Sequence, residues 1–142
     1  MHVDDCRLIR FPKIADARGN LIFIEALRHV PFEVKRVFYL YGVPPGETRG
    51  AHAHKTLEQV MIALAGAFDI ALDDGVRQRH VRLNAPDRGL YVPPMVWELE
   101  LNFDPGSLCL VLASDFYYEA DYYRDREEYL RDLTRARRPA TL

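Results

Sequence analysis

The sequence runs to 142 residues, 49% hydrophobic and 28% charged, with a formal net charge of −2. That length suits one domain, 1–142, with a core large enough to need no staples, and the composition is that of a soluble globular protein. The near-neutral balance gives nucleic acid no bulk attraction.

The local exceptions fit the same picture. Arg131, Arg135, Arg137 and Arg138 cluster near the C-terminus but are interleaved with Asp132, as on a solvated helix face. Two cysteines, Cys6 and Cys109, without a disulfide framework suit a reducing cytoplasm. There is no leader-like segment and no run of eighteen apolar residues, so neither secretion nor a membrane partner is expected.

Along the chain, Leu8–Phe11 is a short strand stopped by Pro12, and Asp16–Asn20 is a turn cluster. Leu21–Glu25 reads as a β-run. Val34–Tyr41 is rich in β-branched and aromatic residues; Lys35, Val37, Tyr39 and Tyr41 share one face, Arg36, Phe38 and Leu40 the other. Gly42–Glu47 is a loop. Arg49–Gln59 carries two histidines and Glu58. Gln59–Leu64, Ala67–Leu72 and Val76–Leu83 follow as strands, the last two joined by the hairpin signal Asp73-Asp74-Gly75. Leu90–Val92, Val96–Leu101 and Leu108–Ala113 complete an all-β pattern with turns every eight to twelve residues, expected to be a sandwich or barrel over about residues 8–114. Asp121–Arg137 lacks Gly and Pro and spaces Tyr122, Tyr129, Leu130 and Leu133 nearly helically; it predicts one C-terminal α-helix.

The chemistry concentrates in Arg49-Gly50-Ala51-His52-Ala53-His54. On a strand, residues i and i+2 share a face, so His52 and His54 project side by side. Gly46, His52, His54, Glu58 and Gly66 follow, in outline, the first motif of the cupins, which are double-stranded β-helix (jelly-roll) barrels. Pro94 to Asn102 outlines the second, with Glu98 where its histidine would stand. Three readings are open. His52, His54, Glu58 and Glu98 hold a metal such as Fe(II), Mn(II) or Zn(II); the histidines are a metal-free acid/base pair; or they are exposed strand residues without a role. His2, His29 and His80 are isolated and read as incidental.

Longer words then become visible: Asp16-Ala17-Arg18-Gly19-Asn20-Leu21, Lys35-Arg36-Val37-Phe38-Tyr39, Arg49-Gly50-Ala51-His52-Ala53-His54-Lys55, Gly89 through Trp97, and Val111 through Asp115. Together they resemble the sugar-nucleotide 3,4-ketoisomerases, small cupin-fold enzymes of deoxysugar biosynthesis. The resemblance implies a dTDP-4-keto-6-deoxyglucose substrate whose carbonyl moves from C4 to C3, no required metal or cofactor, and a homodimer exchanging N-terminal strands. It implies catalytic roles for His52 and His54, helped by Tyr39 and Arg49 at developing oxyanions. Arg18 would hold the pyrophosphate, and Trp97 or Tyr91 would stack on thymine unless each is core. Glu58 either orients an imidazole or pairs with an arginine, and Glu98 is a substrate-site residue of open role. The rivals are a metal-dependent cupin (a dioxygenase or another isomerase) and a non-catalytic sugar-nucleotide-binding barrel.

Overall fold

The computed structural model describes residues 1–140. Its strands are β1 (Arg7–Arg10), β2 (Lys13–Asp16), β3 (Gly19–Ile22), β4 (Arg36–Tyr41), β5 (Arg49–His54), β6 (Gln59–Ala65), β7 (Phe68–Asp73), β8 (Gln78–Leu83), β9 (Arg88–Val92), β10 (Trp97–Leu101), β11 (Leu108–Ala113) and β12 (Tyr122–Tyr123), followed by α1 (Arg126–Ala136). Two five-stranded sheets, ordered β1-β9-β6-β11-β4 and β12-β5-β10-β7-β8, face each other, and β2-β3 forms a separate hairpin. All named pairings are antiparallel. This is the expected mostly-β barrel of cupin type with one helix.

The period of two decides which residues go inside. Met61, Ala63, Phe68, Ile70, Leu72, Leu83, Leu90, Val92, Cys109 and Val111 form the buried core between the sheets. Each large aliphatic or aromatic side chain there contributes about 1.5–3 kcal/mol on leaving water. The alternate residues Val60, Ile62, Tyr91 and Leu112 face outward, where Phe11, Val30 and Phe32 of the N-terminal segment cover them. On the opposite sheet Ala53 faces outward under Tyr129 and Leu133 of α1.

Two expectations are corrected. The helix begins at Arg126 rather than near 121, because the Asp125 side chain accepts from the amides of Glu127 and Glu128 and caps it. The residues before it pair as a strand instead, Tyr122 opposite His54 and Tyr123 opposite Ala53. At the other end, Lys13–Asp16 is a strand that the sequence pattern did not suggest, paired with Gly19–Ile22, while Phe23–Glu25 leaves the sheet.

Candidate functional site

Strand β5 is built around a bulge. Opposite β10, His52 faces Glu98 while Gly50 faces Leu99, so Ala51 is the extra residue. Gly50 and Ala51 take φ of 84° and 59°, the left-handed region. Arg49 and His52 are three residues apart and would face opposite sides of a regular strand. The inserted residue turns both toward one cavity. The bulge also admits little but glycine at position 50, since a Cβ there would stand 2.5 Å from Oε2 of Glu100.

The cavity measures about 370 Å³, and Arg49, His52, Gln59, Glu98, Glu100 and Tyr122 supply most of its polar wall. Phe38, Leu40, Met61 and Val111 give it apolar surfaces. Glu98 and Glu100 both point inward by the alternation of β10, and both are buried. His52 Nε2 lies 2.9 Å from Glu98 Oε1. The Gln59 amide donates to the other oxygen, Oε2. With its proton on Nε2, His52 donates to Glu98, and its Nδ1 is then buried without a protein partner among the described residues.

His54 sits behind this pair. It is buried, its ring 4.9 Å from that of His52, and the Tyr122 ring lies 4.3 Å from His54 and 5.2 Å from His52. Its Nδ1 is 3.4 Å from Asp121 Oδ2 and makes no hydrogen bond among the described residues. Burial, the largest cause, lowers its pKa, and Glu98 and Asp121 oppose it only in part, so His54 is neutral near pH 7. Glu100 is shifted the other way. Burial first and the neighbouring Glu98 second raise its pKa well above the usual carboxylate range, with Arg49 opposing.

The remaining sequence-predicted residues do not join this cluster within one chain. Glu58 is on the outer face, because its neighbour Gln59 points in; it accepts from the Tyr91 hydroxyl at 2.6 Å. Tyr91 is likewise outward, in the layer under Phe11 and Phe32, with Arg7 over its ring. Trp97 precedes the inward Glu98 and so faces out, packed 5.4 Å from Tyr129. Neither aromatic ring faces the cavity. Tyr39 is on the outer face of β4 and 59% exposed; it shares with Arg49 a groove at the cavity's rim. Arg18 is in the turn of the β2-β3 hairpin, exposed and paired with Asp16. Of the metal set, Glu58 is absent and His52, His54 and Glu98 offer atoms within 4.8 Å of one another. Two of those three donors are joined by the His52–Glu98 hydrogen bond.

Three residues of the site escaped the sequence reading as functional: Gln59, Glu100 and Tyr122. The first two were accessible from alternation, Gln59 with Met61 and Glu100 with Glu98. Tyr122 was hidden inside the predicted helix.

Residues 4–134 match the family model described as FdtA: WxcM-like, C-terminal. The chain belongs to this family. The FdtA-like chain is 43% identical over 123 residues to the TDP-4-oxo-6-deoxy-alpha-D-glucose-3,4-oxoisomerase of Aneurinibacillus thermoaerophilus, covering 87% of this chain and 88% of that one. It is also similar to a crystallised mutant of the 3,4-ketoisomerase QdtA from Thermoanaerobacterium thermosaccharolyticum in complex with TDP-4-keto-6-deoxyglucose. That match has TM-score 0.91 and 39% identity, over 94% of this chain and 97% of that one. The WlaRB TDP-quinovose 3,4-ketoisomerase of Campylobacter jejuni matches with TM-score 0.86 and 47% identity, over 89% and 98%.

Proposed function

We propose that this FdtA-like chain is a sugar-nucleotide isomerase of deoxysugar biosynthesis, converting dTDP-4-keto-6-deoxyglucose to a dTDP-3-keto-6-deoxyhexose. The observation that carries the reading is the His52–Glu98 pair on the wall of the polar cavity. A relative at 43% identity named as a 3,4-oxoisomerase of the same sugar supports it.

The chemistry follows from the substrate. The C4 carbonyl acidifies the hydrogen on C3, and an imidazole is suited to remove it at neutral pH. His52 takes that role. It is the histidine on the cavity wall, and Glu98 holds its ring in place through Nε2. The same imidazole returns the proton at C4. His54, neutral and outside the cavity lining, supports the His52 ring from behind. Arg49 at the rim supplies positive charge for the enediolate or the pyrophosphate. Tyr39, in the groove beyond Arg49, contacts the part of the nucleotide that extends out of the cavity.

In this reading the enzyme is a cytoplasmic homodimer exchanging N-terminal strands, and Arg18 acts on the partner's nucleotide. The support is a pattern of exposed apolar residues: Ile14 and Leu21 on the β2-β3 hairpin, and Val37, Tyr39 and Tyr41 on the outer face of β4, an edge strand. A second copy laying its hairpin on β4 covers both. Among the described residues no helix is long and apolar enough to cross a membrane.

The test is incubation with dTDP-4-keto-6-deoxyglucose and identification of the product by NMR. His52→Asn and His54→Asn are run alongside, following deuterium exchange at C3. Full exchange in both variants would sink the assignment. A dimer in light scattering that becomes monomeric on deleting residues 13–22 supports the strand exchange; an unchanged mass contradicts it.

A further inference from the structure

An arginine at an inward position of a barrel strand needs an acceptor, because a charged donor taken out of water without one is strongly unfavourable. Arg36 opens β4 and shares its inner face with Phe38 and Leu40, which line the catalytic cavity. It lies in one row with Ala113 and Gln59, the residue that donates to Glu98. Arg36 Nε and Nη2 are buried and have no hydrogen-bond partner among the described residues. The Phe38 and Tyr117 rings stand 5.3 and 5.5 Å from its Cζ and give cation–π contact, but no lone pair.

Arg36 lines a chamber of about 30 Å³ together with His54, Thr56, Asp115, Asp121 and Tyr122. Tyr122 is also a wall of the catalytic cavity, so the chamber lies directly behind it. His54 is the second group there with an orphaned atom, since its Nδ1 is buried and unbonded. The two neighbouring carboxylates are engaged elsewhere. Asp121 accepts from the amide and hydroxyl of Thr56 and from the amide of Leu57, and its Oδ2 stays 3.4 Å from Nδ1. Asp115 accepts from the amide of Phe116. A space of this size holds about one water molecule, and neither a phosphate nor a sugar. Asp115 and Asp121 disfavour an anion there, and Arg36 disfavours a cation. What fits is neutral and both accepts and donates.

We propose that Arg36 is a positioning residue of the isomerase, acting on His54 through one buried water that accepts from the guanidinium and donates to His54 Nδ1. The inference rests on the 3,4-ketoisomerase reading above. With Arg36 and His54 as fixed partners and a carboxylate of Asp115 or Asp121 on the same wall, the water has the bonds that buried waters make, about two to four. Once the Nδ1 lone pair is engaged, the neutral imidazole carries its hydrogen on Nε2. The ring is then held in one orientation against those of His52 and Tyr122, at 4.9 and 4.3 Å. Arg36 is not part of the lining of the catalytic cavity, so its effect on turnover passes through the two imidazoles.

The direct readout needs no substitution. A crystal structure of the wild type should place one ordered water within about 3.2 Å of both the Arg36 guanidinium and His54 Nδ1, and ¹⁵N spectra should show the His54 hydrogen on Nε2. A carboxylate bonded to either group in place of that water, or a His54 hydrogen on Nδ1, overturns the proposal. Arg36→Met keeps an unbranched stem between Phe38 and Tyr117 and removes the donors. Its kcat should fall about 10–10²-fold, the cost of a mis-set working imidazole, with KM within about threefold of the wild type and the His54 tautomer no longer single. Arg36→Lys, which returns a donor to the chamber, should recover most of that loss. Wild-type kcat in Arg36→Met, a loss carried by KM alone, or no recovery in Arg36→Lys overturns the positioning role while leaving the isomerase reading intact. A wild-type protein that does not turn over the 4-keto sugar contradicts that reading instead, and the role in turnover with it. If Arg36→Met does not fold, the water and the tautomer of the wild type decide the matter.

Discussion

Replacing Glu98 by Gln changes one atom and poses a hydrogen-bonding problem that the site cannot solve. Glu98 now accepts from His52 Nε2 at 2.9 Å and from the Gln59 amide. An amide has one accepting oxygen and one donating nitrogen. If its oxygen faces Gln59, its NH₂ faces His52, and His52 must present a lone pair at Nε2. The proton then moves to Nδ1, and the imidazole loses the carboxylate that stabilises its protonated form. If its oxygen faces His52, two NH₂ groups face each other in a buried position, which costs about 1–3 kcal/mol in unsatisfied donors. The first arrangement is the cheaper, so Glu98→Gln should fold and bind dTDP while kcat falls. The expected fall is about 10²–10⁴-fold, the full share of a positioned general base, or roughly 3–5 kcal/mol of barrel-borne barrier reduction. Turnover followed by NMR gives the rate, calorimetry the dTDP affinity, and ¹⁵N spectra of the His52 ring the tautomer. A variant within threefold of wild-type kcat refutes the reasoning, as does an unchanged His52 tautomer with a lowered rate.

Other expectations concern the frame around the site. Gly89→Ala places a Cβ 2.6 Å from Val60 Cγ1 and 3.0 Å from Phe11, so it should cost about 1–3 kcal/mol by overpacking, read by urea unfolding; a neutral result contradicts the packing described. Asp125→Ala removes the α1 cap and should lower stability by about 1 kcal/mol, with turnover unchanged. Asp74 is buried, which alone would raise its pKa, but the amides of Arg77, Val3 and Val76 outweigh burial and bring it to about 2. Its folded pKa is depressed, so its stabilisation is present above the unfolded value near 4 and is lost as pH falls towards 2. Asp74→Asn should therefore lower the melting temperature clearly at pH 7 and hardly at all at pH 2; an equal loss at both contradicts the charge-assisted bonds.

How much of this was legible beforehand depends on the period of two. Alternation alone put His52 and His54 on one face, and the same rule accounts for the observed core of every second residue of the central strands, Cys109 included. The same rule, applied from Gln59 and from Glu98, would have turned Glu58 and Trp97 outward. The cupin spacing suggested the opposite for Glu58, and the Tyr91 hydroxyl, far off in sequence, is what it bonds. Glu98 stood out only as a missing histidine; its hydrogen bond to His52 spans 46 positions and has no local signal. The bulge at Ala51 was invisible because nothing in the six residues of β5 marks an inserted residue except a glycine. The helix start was misplaced because Tyr122 fits a helical spacing as well as a strand, and only pairing with β5 decides between them. Arg18 and Tyr39 were chosen by resemblance. A single chain leaves them on its surface, where a partner must complete their surroundings if they act.

The most direct measurement is C3 deuterium exchange and product formation from dTDP-4-keto-6-deoxyglucose by the wild type and by His52→Asn. The wild type should exchange at C3 and yield the 3-keto isomer; His52→Asn, with dTDP binding retained, should do neither at more than about 1% of that rate. Exchange at the wild-type rate in His52→Asn would contradict the assignment of this imidazole as the base.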